Sequence, residues 1–139
     1  MREFKFRAWD NEDNKMWKVV AISESIWGYC EDKHIRVCDF GKMPEDKSTD
    51  VRLSIDYKLM QYTGLKDVNG REIYEGDVVK IIYCESPLLV TYDSGMFLAE
   101  FTNGNVHYLG EHYIGCEVLG NFYENPELWT ADYFELEGK

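Results

Sequence analysis

Lysine and arginine are missing from the last part of this chain. Of its 139 residues, Ile81 to Gly138 hold ten carboxylates and neither lysine nor arginine, and the whole carries a net charge of −11. Proteins that grip nucleic acid present Lys and Arg to displace counterions from phosphates, so this half is badly suited to that task. It could repel nucleic acid, attract a basic partner, or act as a solubilising surface. Cysteine is scarce too. Cys30, Cys38, Cys84 and Cys116 are few for a disulfide framework and read as free thiols packed as small apolar groups. No apolar run approaches the ~20 residues that span a bilayer, and "MREFKFRAWD" lacks the apolar core of a signal peptide. The chain is therefore expected to stay in the cytoplasm, off the membrane.

Signatures of chemistry are also lacking. "YDSGM" around Ser94 is not the G-x-S-x-G elbow and reads as a hairpin turn. His34, His107 and His112 have no Ser or Cys beside them in a known catalytic arrangement, and His107 reads as a strand-face residue. "YTGLKDVNG" lacks the lysine and following helix of a phosphate loop. "DVNG" opens like a calcium loop, but Arg71 stands where an oxygen ligand is needed and Val78 where the bidentate Glu belongs. Cys30-x3-His34-x3-Cys38 tests as a zinc site, yet "DKHIRVCD" reads as strand, which sets residues four apart at roughly 13 Å. Such residues cannot share one zinc unless a bend gathers them, with Cys84 or Cys116 as further ligands. Accordingly no catalytic residue, metal ligand or cofactor is assigned.

What is present is strand pattern. The length fits one domain, 1–139, and 15% aromatic content leans towards β structure. "REFKFRAW" alternates Phe4, Phe6 and Ala8 against Lys5 and Arg7, a half-buried strand. "DNEDNK" is a polar turn leading to "MWKVVAI"; "HIRVCDF" is a short strand, and "GKMPEDKSTD" an exposed loop. "VRLSIDYKLMQY" alternates most cleanly, as one strand whose end a short helix could share. "VVKIIYC", "LLVTYDSGMFLAEF", "TNGNVHYL" and "CEVLGNFY" follow as a meander with turns at Asp93-Ser94-Gly95 and Asn103-Gly104-Asn105. "NPELW" offers Asn125 as N-cap and Pro126 as first helical residue of a short turn. The expectation is an all-β, mainly antiparallel single domain, a barrel or sandwich, with at most short helical turns.

"GLKDVNGREIYEGDVVKI" (64–81) is the most tightly specified stretch. Asn69-Gly70 tolerates the positive φ of tight hairpins and marks a small projecting β-arm. Glu75-Gly76-Asp77 turns the chain into an apolar strand, a pattern met in SH3-like small barrels. Three blocks, "MREFKFRAWDNEDNKM" (1–16), "LMQYTGLKDVNGREIYEGDVVKI" (59–81) and "EVLGNFYENPEL" (117–128), resemble the YopX family, small proteins encoded in phages and prophages. Residues 17–58 and 82–116 carry none of that resemblance. It implies an all-β domain with some SH3-like character, and neither an activity nor catalytic residues.

The leading expectation is a non-enzymatic phage or prophage accessory protein that binds a host or phage protein. Exposed positions of the arm, Lys66, Asp67, Asn69, Arg71 and Tyr74, are its candidate contacts. Self-association into a homo-oligomer through strand edges is a variant. Two alternatives remain open. One is a small-barrel nucleic-acid binder using Arg2, Lys5, Arg7, Lys15 and Lys18 among Phe4, Phe6, Trp9 and Trp17; the net charge disfavours it. The other is an acidic DNA mimic that occupies a host protein's DNA site.

Overall fold

The computed structural model describes residues 3–23, 34–38, 50–53, 57–82, 84–112 and 115–129. Two compact units divide the chain, Phe4–Gln61 and Tyr62–Lys139 with Met1–Glu3, so that the boundary falls inside one strand. Every strand pairing among the described residues is antiparallel.

In the first unit β1 (Phe6–Asp10) and β2 (Lys15–Ser23) form a hairpin. Asp10 shapes its turn: Oδ1 accepts the N–H of Glu12 at 2.9 Å and of Asp13 at 3.3 Å. Asn14 closes the turn at a φ of 51°, a left-handed value that asparagine tolerates. β3 (His34–Cys38), β4 (Asp50–Leu53) and the start of β5 (Tyr57–Lys66) complete the order β4-β3-β2-β1-β5. The register sets Ala8 opposite Trp17 and Leu59, and Val19 opposite Val37. With Tyr57 these side chains make the unit's core.

Three expectations change here. Phe4 lies before β1 and is 69% exposed, so it does not join the apolar face. β1 is buried on both faces, because Trp9 shares Arg7's face and both are covered. Residues 51–59 do not form one strand: β4 pairs with β3 at the sheet edge, whereas β5 pairs with β1. Leu53 and Tyr57 keep the same parity, and alternation alone cannot mark a break between strands of like phase.

In the second unit β5 continues from Tyr62 and pairs with β6 (Glu72–Tyr74) across a bulge. There Gly64 takes a φ of 88°, and Thr63 Oγ1 donates to the Ile73 carbonyl at 2.7 Å. β7 (Asp77–Ile81), β8 (Leu88–Asp93), β9 (Met96–Glu100), β10 (Val106–Tyr108) and β11 (Cys116–Asn121) form a sheet ordered β10-β9-β8-β7-β11. The β8–β9 turn has Ser94 and Gly95 at φ 53° and 80°, the paired positive values of a two-residue hairpin loop. Ile73, Val79, Leu88, Val90, Ala99, Leu109, Cys116 and Val118 form this unit's core. A four-residue helix α1 (Leu109–His112) and a 3-10 turn (Pro126–Trp129) are the helical pieces among the described residues. The Asn125 side chain is not used as expected: its Oδ1 accepts the Asn121 N–H at 3.3 Å, while its backbone carbonyl takes the Leu128 N–H. The fold is all-β and mainly antiparallel, and its described sheets are open.

Candidate functional site

The turn at 67–71 is built around one carboxylate. Gly70 N–H donates to the Asp67 carbonyl at 3.0 Å, with Gly70 at φ 81°. Asn69 is not left-handed, so Gly70 alone meets the special backbone requirement. Asp67 Oδ1 accepts the N–H of Asn69 at 2.8 Å and of Arg71 at 2.9 Å. Its Oδ2 accepts the Val118 N–H at 2.9 Å, and Val68 N–H donates to the Cys116 carbonyl at 2.9 Å. The arm's tip is exposed, but its base is thereby tied to β11, and polar backbone groups on the outer side of that strand are occupied. Burial alone would raise the Asp67 pKa; the bonds from Val118, Arg71 and Asn69, with the Arg71 charge, outweigh it and hold the carboxylate below its ordinary range. Cys116 sits fully buried nearby. Burial first, then the charges of Asp67 and Asp77, push its pKa up to about 11. Burial therefore disfavours the thiolate, the form in which a cysteine acts as nucleophile.

Asp77 is also fully buried, and its Oδ2 accepts the Tyr74 N–H at 2.8 Å. Gly76, at φ 89°, carries the corner: its N–H donates to the Val90 carbonyl and its carbonyl accepts from Phe122 N–H, both at 2.8 Å. Gly120 meets the 3-10 turn so closely that a Cβ there would lie 2.5 Å from Asn125 Oδ1.

The opposite end of this sheet is different. β10 is its terminal strand, and Val106 and Tyr108 are about half exposed, at 50% and 51%. The register pairs Tyr108 with Leu98 and Val106 with Glu100. Met96, Leu98, Val106 and Tyr108 share one face and line a groove of about 520 Å³, rimmed by Asp93, Ser94 and His107. Ser94 Oγ donates to Asp93 Oδ1 at 3.5 Å, and the His107 ring meets Phe101 edge-on at 5.3 Å. In a catalytic triad the carboxylate orients the imidazole, not the serine, so this contact does not build one.

A family model described as YopX protein matches residues 5–130. The chain belongs to the YopX family. It is similar in structure to the crystal structure of protein EF1440 from Enterococcus faecalis, with a TM-score of 0.60 and 27% identity over 94% of this chain and 100% of that one. Protein yopX from Bacillus subtilis, at 21% identity, shares the fold with a TM-score of 0.55 over 91% and 98% of the two chains. No curated protein matches. Two of the three YopX-like blocks, 59–81 and 117–128, prove to be hydrogen-bonded to each other through Asp67–Val118 and Gly76–Phe122. The resemblance therefore marks a folding framework, whereas the groove of residues 93–108 lies outside all three blocks.

Of the residues picked on the arm, Lys66, Asn69 and Arg71 are exposed, but Asp67 and Tyr74 are 7% exposed. Asp67 is turned inward by its three N–H donors, and Tyr74 packs on Tyr62 at 5.5 Å. The basic and aromatic N-terminal set is likewise dispersed. Arg7 and Trp9 are buried, Trp9 donates to Asn11 Oδ1 at 2.9 Å, and Lys15 lies 3.9 Å over the Trp17 ring. His34 and Cys38 stand at opposite ends of β3, and Cys30 lies outside the described residues. No group of three His, Cys, Asp or Glu gathers among the described residues, and no described helix is long and apolar enough to cross a membrane. The sequence shows Met96 alternating with Leu98 and Val106 with Tyr108, but the β9–β10 groove exists only once those two strands pair.

Proposed function

We propose that this chain is a non-enzymatic protein-interaction module, a phage or prophage accessory protein that recognises a host or phage protein in the bacterial cytoplasm. One observation carries the reading: a groove beside a terminal strand of the second unit is floored by Met96, Leu98, Val106 and Tyr108 and rimmed by polar groups. Binding sites are commonly of this kind, apolar with a few polar groups at the rim. The buried carboxylates of Asp10 and Asp67 support it from the other side, because their oxygens hold backbone N–H groups. General acid–base chemistry asks instead for a carboxylate aimed at a substrate. Net charge selects a basic partner surface.

The exposed side of the arm, Lys66, Asn69 and Arg71, offers a second contact surface for the same partner, with Asp67 and Tyr74 holding it in place. Lys66→Ala with Arg71→Ala should weaken partner capture and leave the fold intact; unchanged capture removes the arm from the interface. The test of the whole reading is capture from bacterial host lysate at moderate salt, with and without nuclease, read by mass spectrometry. A near-stoichiometric protein retained after nuclease is the expected result. Loss of every partner after nuclease, or recovery of nucleic acid alone, overturns it in favour of nucleic-acid binding. Competition between this chain and DNA for the captured protein would identify the acidic half as a DNA mimic.

A further inference from the structure

The two edges of the five-stranded sheet are finished differently. At β11 the turn at 67–71 takes up outward-facing polar groups, through Val118 N–H and the Cys116 carbonyl. At β10 no further strand follows among the described residues, and the β9–β10 pairing runs without a bulge. Edge strands are usually blunted by Lys, Pro or a bulge; β10, Val-His-Tyr, contains none of them.

Its phase can be read from the adjoining loop. Phe101 N–H donates to the Asn105 carbonyl at 2.8 Å, so that pair is hydrogen-bonded. Antiparallel pairs alternate. His107 with Ala99 is then the next bonded pair, and the backbone N–H groups of Val106 and Tyr108 point away from β9. The same two residues send their side chains into the groove.

We propose that β10 is a docking edge for an extended segment of a basic partner protein, whose alternate, groove-facing positions are apolar residues flanked by lysine or arginine. The segment adds as a strand beside Val106–Tyr108 and sets its apolar side chains against Met96, Leu98, Val106 and Tyr108. This rests on the interaction-module reading and names the chemistry of its partner. Added strands gain affinity from main-chain hydrogen bonds and specificity from alternate side chains. With three residues β10 supplies few such bonds, so the groove and the charge must supply the rest. Charge chooses the occupant: β8, β9 and β10 carry Asp93 and Glu100 and no lysine or arginine. The register sets Asp93 opposite Met96 and Glu100 opposite Val106, so both carboxylates lie on the groove's own face, one towards each end. A second copy in the same place would set acid against acid, since each chain carries −11.

A displayed library of random dodecapeptides, selected against the intact chain at about 50 mM salt, tests the proposal directly. The enriched peptides should carry Val, Ile, Leu or aromatic residues at alternate positions with Lys or Arg on that same face at either end, and raising the salt should weaken them. Val106→Pro, which deletes an outward N–H at an edge where proline is tolerated, should cut their affinity at least tenfold. Tyr108→Lys, which places a cation in the groove and spares the backbone, should do the same; unchanged circular dichroism and melting certify each variant. No enrichment, enrichment of acidic or patternless peptides, or equal binding by both folded variants overturns the proposal. A concentration-dependent dimer that Val106→Pro abolishes also overturns it, in favour of a second copy. If a lysate protein is captured equally by wild type and both variants, the interaction-module reading stands and the β10 edge falls.

Discussion

Replacing Asp67 by alanine removes the acceptor of three backbone N–H groups at once, one of them on β11. A buried donor left unpaired costs about 1–3 kcal/mol, so Asp67→Ala should lower the unfolding free energy by about 2–3 kcal/mol, measured by urea titration. Asp67→Asn should cost less, because it keeps one carbonyl acceptor. The same residue shapes the acid limb. Asp10 and Asp67 titrate lower folded than unfolded, where the value is about 3.9. Their stabilisation is complete above that value and fades as pH falls through the folded pKa. Asp67→Asn should therefore flatten the loss of stability below about pH 4. Cys116 has the opposite sign: its thiol, raised to about 11, favours the fold fully below the unfolded thiol pKa and less as pH climbs towards 11. At pH 8 iodoacetamide should label Cys84, which is partly exposed, and spare Cys116 until the chain is unfolded. Chymotryptic mass mapping would read this, since trypsin has no site between Ile81 and Gly138.

Strands and turns were the most legible level. Alternation located β1, the apolar and β-rich stretches marked β2, β3, β7, β8, β9, β10 and β11, and Asp93-Ser94-Gly95 announced the hairpin that Ser94 and Gly95 make with positive φ. Three things were not legible. The break between β4 and β5 keeps parity and leaves no mark in the pattern. The inward turn of Asp67 depends on Val118, 51 residues away, and a polar residue in a turn gives no sign of a distant partner. The groove arises only when β9 and β10 pair, which sets Leu98 beside Tyr108. Close approach is equally silent, as at Gly120 in "VLGNFY". A methyl there would meet the side-chain ends Asn125 Oδ1 at 2.5 Å and Leu128 Cδ1 at 2.7 Å. These can swing away at the expense of the bond Asn125 Oδ1 accepts from Asn121 N–H, so Gly120→Ala should destabilise by about 0.5–1.5 kcal/mol. The check is thermal unfolding, with Gly110→Ala as control because open space surrounds that position.

For the molecule as a whole, charge and edge protection point the same way. Ten carboxylates and no lysine or arginine between Ile81 and Gly138 make that stretch acidic, and acidic surfaces attract cationic ones. The family framework closes the β11 edge with Asp67 and Val68, while among the described residues no strand covers β10 beside its groove. A partner bound there should dissociate faster as salt rises from about 50 to 500 mM, whereas a purely apolar contact would hold or tighten. The most direct measurement is amide hydrogen exchange by NMR, on the chain alone and saturated with the tightest library-selected peptide. New protection at Val106 and Tyr108, with shifts confined to β9 and β10, is the predicted result. Protection at residues 66–71 or 4–18 instead, with β10 unchanged, would contradict it.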